Sequence, residues 1–247
     1  MSFSESFSKF ISSGVLYKLF DNYDNTYILI ATLTSALCAY LLGSLNFAIM
    51  ISKRAYHQDI RAHGSGNAGM TNMMRTYGKR AAILTFVGDA AKAIIAGLIG
   101  YAAFGQPGAH IAGLFCVIGH MYPIFFKFKG GKGVVTTAAS MLVCNPYVFL
   151  IELILYVVIV AIWKYISLAS IMCAMLYPVL LNGFDTVLLV NADGSHYNGS
   201  PYGIFTVAIA LLVVFKHREN IKRLLNKTES KFKFKKSVSK EDVEEEI

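Results

Sequence analysis

The sequence predicts an all-α integral membrane protein with seven transmembrane helices, its N-terminus outside and its C-terminus in the cytoplasm. Three observations carry that expectation. The 247 residues are 55% hydrophobic and 15% charged, with a mean hydropathy of +0.51, which is more apolar surface than one water-soluble core can hide. The apolar residues gather into seven runs, at 27–51, 81–104, 109–126, 134–145, 147–163, 165–190 and 202–215. The cations collect between alternate pairs of those runs.

Taken in order, the first run is long enough to cross a bilayer, which needs roughly 17–25 mostly apolar residues. The second contains Asp89 and Lys92 at helical spacing; ionisable groups at that depth face the protein interior in pairs, so a structural ion pair is expected. The third, 109–126, leads directly into FKGGKG. The fourth and seventh are short, so their boundaries are soft. The fifth and sixth flank the turn KYISLAS.

With seven crossings, the inside segments hold six cations at 53–80, three at 127–132, one at Lys164 and ten between Lys216 and Lys240, or 20 of the 23 in the chain. Only Lys9 and Lys18 fall outside, with Lys92 within a span. A single crossing over 134–163 would throw the ten cations of the tail outside, so seven fits better than six. The +8 net charge therefore lies on one face, where anionic headgroups and phosphorylated metabolites are expected.

Three further classes are set aside. Cys38, Cys116, Cys144 and Cys173 lack CxxC spacing and read as packing residues, and the six histidines show no paired-ligand pattern. Neither a metal nor another cofactor is expected, and nucleic acid is not an expected partner. Residues 1–26 form an N-terminal extension without signal-peptide character, in which 9–20 could lie as an interfacial amphipathic helix. Residues 27–225 are the membrane domain. The segment 226–247 turns from Lys-rich to EDVEEEI and reads as a disordered tail whose removal should be tolerated.

Four polar clusters lie on the cytoplasmic side of this frame. The loop DIRAHGSGNAGMTNMMR at 59–75 sets glycines among Ser65, Asn67, Asn72 and Arg75, offering amides, short polar groups and a guanidinium that can take phosphate bidentately. An ordinary polar turn is the plainer alternative. In FKGGKGVVTT, Lys129, Gly130, Gly131, Lys132 and Gly133 suit a metal-free phosphate site. Because Lys132 is followed by Gly133 rather than Ser or Thr, a nucleotide P-loop is not supported. Ser167 and Ser170 are three apart on one helical face, although serines that bond back to their own helix are commoner. His217 and Asn220, also three apart, can present an imidazole and an amide from one turn.

The ordered combination GSGNAGMTN, GHMYPIFFKFKGGKGV and HRENIKRL resembles the bacterial acyl-phosphate:glycerol-3-phosphate acyltransferase family over roughly residues 40–225. Met70 and Val135 each stand where that family usually has alanine, and neither change removes a polar group. The resemblance implies transfer of a long-chain acyl group from acyl phosphate to glycerol 3-phosphate in the bacterial inner membrane, with the active site facing the cytoplasm. Membrane lipids and the soluble enzyme that makes acyl phosphate would be its neighbours. Ser65, Lys132, His217 and Asn220 match the family's motif residues. From the residues themselves, Gly130, Gly131, Lys132, Gly133 and Ser170 are expected to hold the acyl-phosphate head. Ser65, Arg75, His217 and Asn220 would hold glycerol 3-phosphate, and Asn67, Asn72, Lys129 and Ser167 are further expected substrate-binding residues, not assigned to either substrate. His217 among phosphates is expected to be a charged donor, leaving a substrate phosphate as base. A transporter of phosphorylated metabolites is the rival reading, although no repeat is visible.

Overall fold

The computed structural model describes residues 25–188, 200 and 202–232. The expected interfacial piece 9–20, most of the acidic tail and the segment 189–199 lie outside the described residues. Among the described residues, the chain is all helical: α1 (Asn25–Gly43), α2 (Phe47–Tyr56), α3 (Met70–Tyr77), α4 (Lys79–Met121), α5 (Val134–Cys144), α6 (Pro146–Trp163), α7 (Ile166–Leu188), α8 (Gly203–Lys216) and α9 (Arg218–Leu225).

The first apolar run is two helices rather than one. Asn46 interrupts it, its side chain accepting from Ile49 N at 3.1 Å as the N-cap of α2. The same side chain donates to Ala68 O at 3.3 Å, which ties the break in the first run to the glycine loop that follows.

Helix α4 folds back on itself. In a straight helix Lys92 and His120 would lie about 42 Å apart at 1.5 Å per residue, yet Lys92 Nζ is 3.0 Å from His120 Nδ1. Non-helical angles at Phe104 and Gly105, the latter with φ of +60°, make the reversal, so the two runs expected at 81–104 and 109–126 are the arms of a hairpin. A Cβ at Gly100 would collide with Gly108 O, and one at Gly108 with Gly100 O. Only glycine lets the arms meet there. The helical part of the third run ends at Met121, and Pro123 leads into a short 3₁₀ turn at Ile124–Phe126.

Val117 and Met121 of α4, Met141 of α5, Val148 of α6, Tyr177 and Leu181 of α7, and Ile209 and Val213 of α8 form the larger core. Ala39, Ala93, Ala96, Ala112 and Cys116 form a second one of small side chains between α1 and the hairpin, as helices packed in lipid favour. Outward faces are apolar and exposed, with Leu33, Leu84, Ile154, Val179 and Leu211 all more than half exposed. Four helical stretches, 29–56, 79–126, 146–163 and 166–187, are long and apolar enough to cross a membrane. Helices α5 and α8, with 11 and 14 residues, measure about 16 and 21 Å, short of the roughly 30 Å hydrocarbon core. Cys116 and Cys144 are buried as expected, whereas Cys38 is exposed.

Asp89 and Lys92 form the expected buried pair, 2.7 Å apart and each 2% exposed. Lys92 also donates to Leu45 O at 2.7 Å, so one ammonium joins the hairpin arms and the break in the first run.

Candidate functional site

Two loops from distant parts of the sequence are fastened face to face. Arg61 takes Asp59 bidentately, at 2.9 and 2.7 Å, and donates at 2.9 Å to both Phe126 O and Lys129 O. The Arg61 hydrogen bond holds the Asp59 carboxyl down at about 2. Asn72 is buried on the first turn of α3; its amide donates to Ile60 O, His63 O and Asn67 O at 2.9–3.3 Å, and its carbonyl accepts from Ser65 N at 2.9 Å. It shapes the loop that presents Ser65 and leaves no amide hydrogen bond for a ligand.

The second loop touches the first at Gly131, where a Cβ would run into Ala68 O and His120 Nε2. The Gly130 and Gly131 amides donate to Met121 O and His120 O at 3.2 and 3.1 Å. These two glycines let the backbones approach; their amides are not free for an anion.

Between the loops and the short helix α9 is a cavity of about 480 Å³. Ser65, Asn67, Asn72, Arg75, Lys132, Gly133, Ser167, Ser170, His217 and Asn220 all line it. Lys129, Gly130 and Gly131 do not: Lys129 is exposed to solvent, and the two glycines lie behind Lys132. Ser170 bonds back to Ile166 O at 2.9 Å, the commoner behaviour of a helical serine, while its residue still forms part of the wall.

His217 sits at the bend between α8 and α9, 2% exposed, with Nδ1 2.8 Å from Val213 O. That partner fixes the proton on Nδ1 and leaves Nε2 an acceptor. Burial, reinforced by Lys132, pushes His217 down to about 4. The expectation of a charged imidazole is therefore corrected for the free site, where desolvation dominates. Lys132 donates to Asn220 Oδ1, and burial, with Arg223 and Arg75 nearby, brings its ammonium down to about 8.

Two residues escaped the sequence reading. Arg223, one turn beyond Asn220, lines the cavity and donates to Glu229 Oε2 at 2.7 Å. Glu229 also accepts from Asn220 Nδ2 and Ser167 Oγ, both at 2.7 Å. Burial works against its charge, but these hydrogen bonds outweigh it and keep the carboxyl below its ordinary range. The expectation that the chain is a solvated tail from 226 onward is thus corrected: residues 226–232 return to the cavity, and Phe232 N donates to Lys164 O at 2.6 Å. The Asn220–Arg223 spacing could have flagged Arg223. Nothing local marks Glu229, one acidic residue in a Lys-rich stretch. Asp89 and His120 reach the cavity floor, an extension of the expected ion pair.

The polar chamber adjoins a second, apolar cavity of about 290 Å³. Met70, Val134, Val135, Tyr156 and Ser170 belong to both. The arrangement can hold anions at one end and a hydrocarbon at the other.

Comparison with known proteins identifies the family. A family model described as glycerol-3-phosphate acyltransferase matches residues 33–227. A glycerol-3-phosphate acyltransferase of Thermoanaerobacter sp. (strain X514) is 42% identical over 197 residues, covering 80% of this chain and 93% of the relative. One from Geobacillus kaustophilus (strain HTA426) is 40% identical, covering 80% and 94%. The solved structure of PlsY (YgiH), an integral membrane glycerol 3-phosphate acyltransferase in its glycerol 3-phosphate form, superimposes with a TM-score of 0.70 at 37% identity, covering 82% of this chain and 96% of that one. The chain therefore belongs to the glycerol-3-phosphate acyltransferase family.

Proposed function

We propose that this membrane enzyme transfers an acyl group from acyl phosphate to the 1-hydroxyl of sn-glycerol 3-phosphate, giving 1-acyl-glycerol 3-phosphate and inorganic phosphate. The observation that carries the reading is the junction of a chamber bearing Arg75, Lys132 and Arg223 with an apolar groove. Membership of an acyltransferase family, together with the relative solved in its glycerol 3-phosphate form, disfavours the transporter. Two phosphate dianions about 6 Å apart repel by roughly 11 kcal/mol at an effective dielectric of about 20, so acyl transfer between phosphorylated partners needs cations gathered in this way.

In this reading Lys132 and the wall at Ser170 face the acyl-phosphate head, and the chain lies in the groove. Ser65, Arg75, His217 and Asn220 hold glycerol 3-phosphate, with Glu229 bracing Asn220 and Arg223. The glycerol oxygen attacks the acyl carbonyl carbon, the bond from that carbon to the phosphate oxygen breaks, and phosphate leaves. The hydroxyl proton passes to a substrate phosphate. At about 4, His217 is the weaker base beside a phosphate whose second pKa is about 6; its Nε2 accepts from the neighbouring 2-hydroxyl and orients the glycerol, which leaves the 1-hydroxyl proton free to pass to phosphate. Positioning and charge control supply the catalysis.

The seven-crossing topology, with the N-terminus outside and this chamber facing the cytoplasm of a bacterial inner membrane, goes with the reading. It is supported by the cation distribution and requires the short α5 and α8 to sit where the bilayer is locally thin. The test is purified protein in detergent with labelled glycerol 3-phosphate and palmitoyl phosphate. Lysophosphatidate formed without ATP supports the proposal; uptake into vesicles without product would favour transport.

A further inference from the structure

Glu152 takes no part in that chemistry, although it lines the apolar groove. It stands four residues before Tyr156 on α6, about 6 Å farther along the helix axis from the chamber. The residue is 4% exposed, and neither carboxyl oxygen has a hydrogen bond of good geometry among the described residues, although the Cys173 thiol lies beside the carboxyl. The neighbouring Cys173 thiol donates to the main-chain carbonyl of Glu152, at 3.7 Å. On the α5 wall Thr137, 6% exposed as a residue, has a buried hydroxyl that also lacks a partner among the described residues. Thr137 lies three residues beyond Val134, about 4.5 Å deeper along its helix, so the two unpaired groups stand at similar depth.

A saturated hydrocarbon cannot satisfy either group. A buried carboxyl or hydroxyl without a partner is destabilising, and a leucine at 152 would suit an alkyl chain better. An occupant bringing its own hydroxyl to this depth would donate to a Glu152 oxygen and accept from Thr137. Val134, Val135, Tyr156 and Ser170 mark the mouth where the phosphate-bearing end enters. One turn deeper corresponds to the first few carbons past the acyl carbonyl.

We propose that Glu152 and Thr137 form a polar subsite for a hydroxyl carried near the carbonyl end of the acyl chain, so that the enzyme prefers hydroxyacyl phosphates to saturated ones. This specificity rests on the reading that acyl phosphate is the donor. A site built to hydrogen-bond a substrate hydroxyl rejects the analogue lacking it, here by about tenfold or more in kcat/KM.

The experiment compares palmitoyl phosphate with its 3- and 5-hydroxy derivatives on a single preparation, so that the ratio of kcat/KM values cancels the active fraction. The wild type is expected to favour at least one hydroxy donor by about tenfold or more. Glu152→Leu should bring the ratio to one or below, Thr137→Val should lower it less, and Glu152→Gln, which keeps an acceptor, should retain the preference. A wild-type ratio of one, or an unchanged ratio in Glu152→Leu, overturns the subsite while leaving acyl transfer intact. If the wild type turns over none of these donors, the acyl-phosphate reading falls and the subsite with it.

Discussion

Replacing Lys132 by Gln removes a charge but keeps a donor that can reach Asn220. A unit charge about 4 Å from a phosphate charge is worth about 4 kcal/mol at an effective dielectric of about 20. Part of that is lost because Arg223 and Arg75 already disfavour the ammonium. The variant should therefore lose about 10²- to 10³-fold in kcat/KM. The wild type adds an internal check through pH. With its ammonium titrating at about 8 in the free enzyme, Lys132 is charged below that pH and neutral above it. Because kcat/KM reports free-enzyme ionisations, it should fall about tenfold between pH 7 and pH 9. The substrate phosphate, with a second pKa of about 6, stays dianionic throughout. Lys132→Arg should move the alkaline limb out of range, and Lys132→Gln should abolish it. The assay is acyl transfer from palmitoyl phosphate to labelled glycerol 3-phosphate in detergent across that range. A limb of unchanged shape in Lys132→Gln, or near wild-type turnover, would refute the placement of Lys132 against phosphate.

The tail should divide at Phe232: deletion of 233–247 should leave specific activity within a few fold, whereas deletion of 228–247 or Glu229→Ala should lower it about tenfold or more, through the lost hydrogen bonds to Asn220 and Arg223. Equal activity in the two truncations would return Glu229 to the solvated tail. His217→Gln should keep measurable turnover with a raised KM for glycerol 3-phosphate, and a collapse of kcat by about 10³ at saturating acceptor with KM unchanged would make His217 the general base. Lys92→Ala should cost about 3–5 kcal/mol by leaving Asp89 buried with only His120, at 3.5 Å, beside it, read as lost thermal stability. Restoration by adding Asp89→Asn is the matching expectation, and an indifferent single variant would argue against the pair.

The amino-acid sequence by itself determined the class of molecule and the parts of the chamber. Run length and cation placement are local properties, so the apolar segments were legible, as were the clusters holding Ser65, Arg75, Lys132, His217 and Asn220. The tertiary structure alone decided what depends on residues far apart in the chain. Gly130 and Gly131 had the composition of an anion nest, yet their amides bond to the His120 and Met121 carbonyls, because the 3₁₀ turn at Ile124–Phe126 folds the loop back onto the end of α4. Charge among phosphates argued for an imidazolium at His217, but the depth at which α8 meets α9 buries the ring, and desolvation prevails. Glu229 looked solvated because its neighbours are lysines, and only the return of 226–232 places it against Asn220 and Arg223. Glu152 was one acidic residue within an apolar run; that its helix turns it into the groove, away from lipid, is a matter of packing, which no spacing along the chain records.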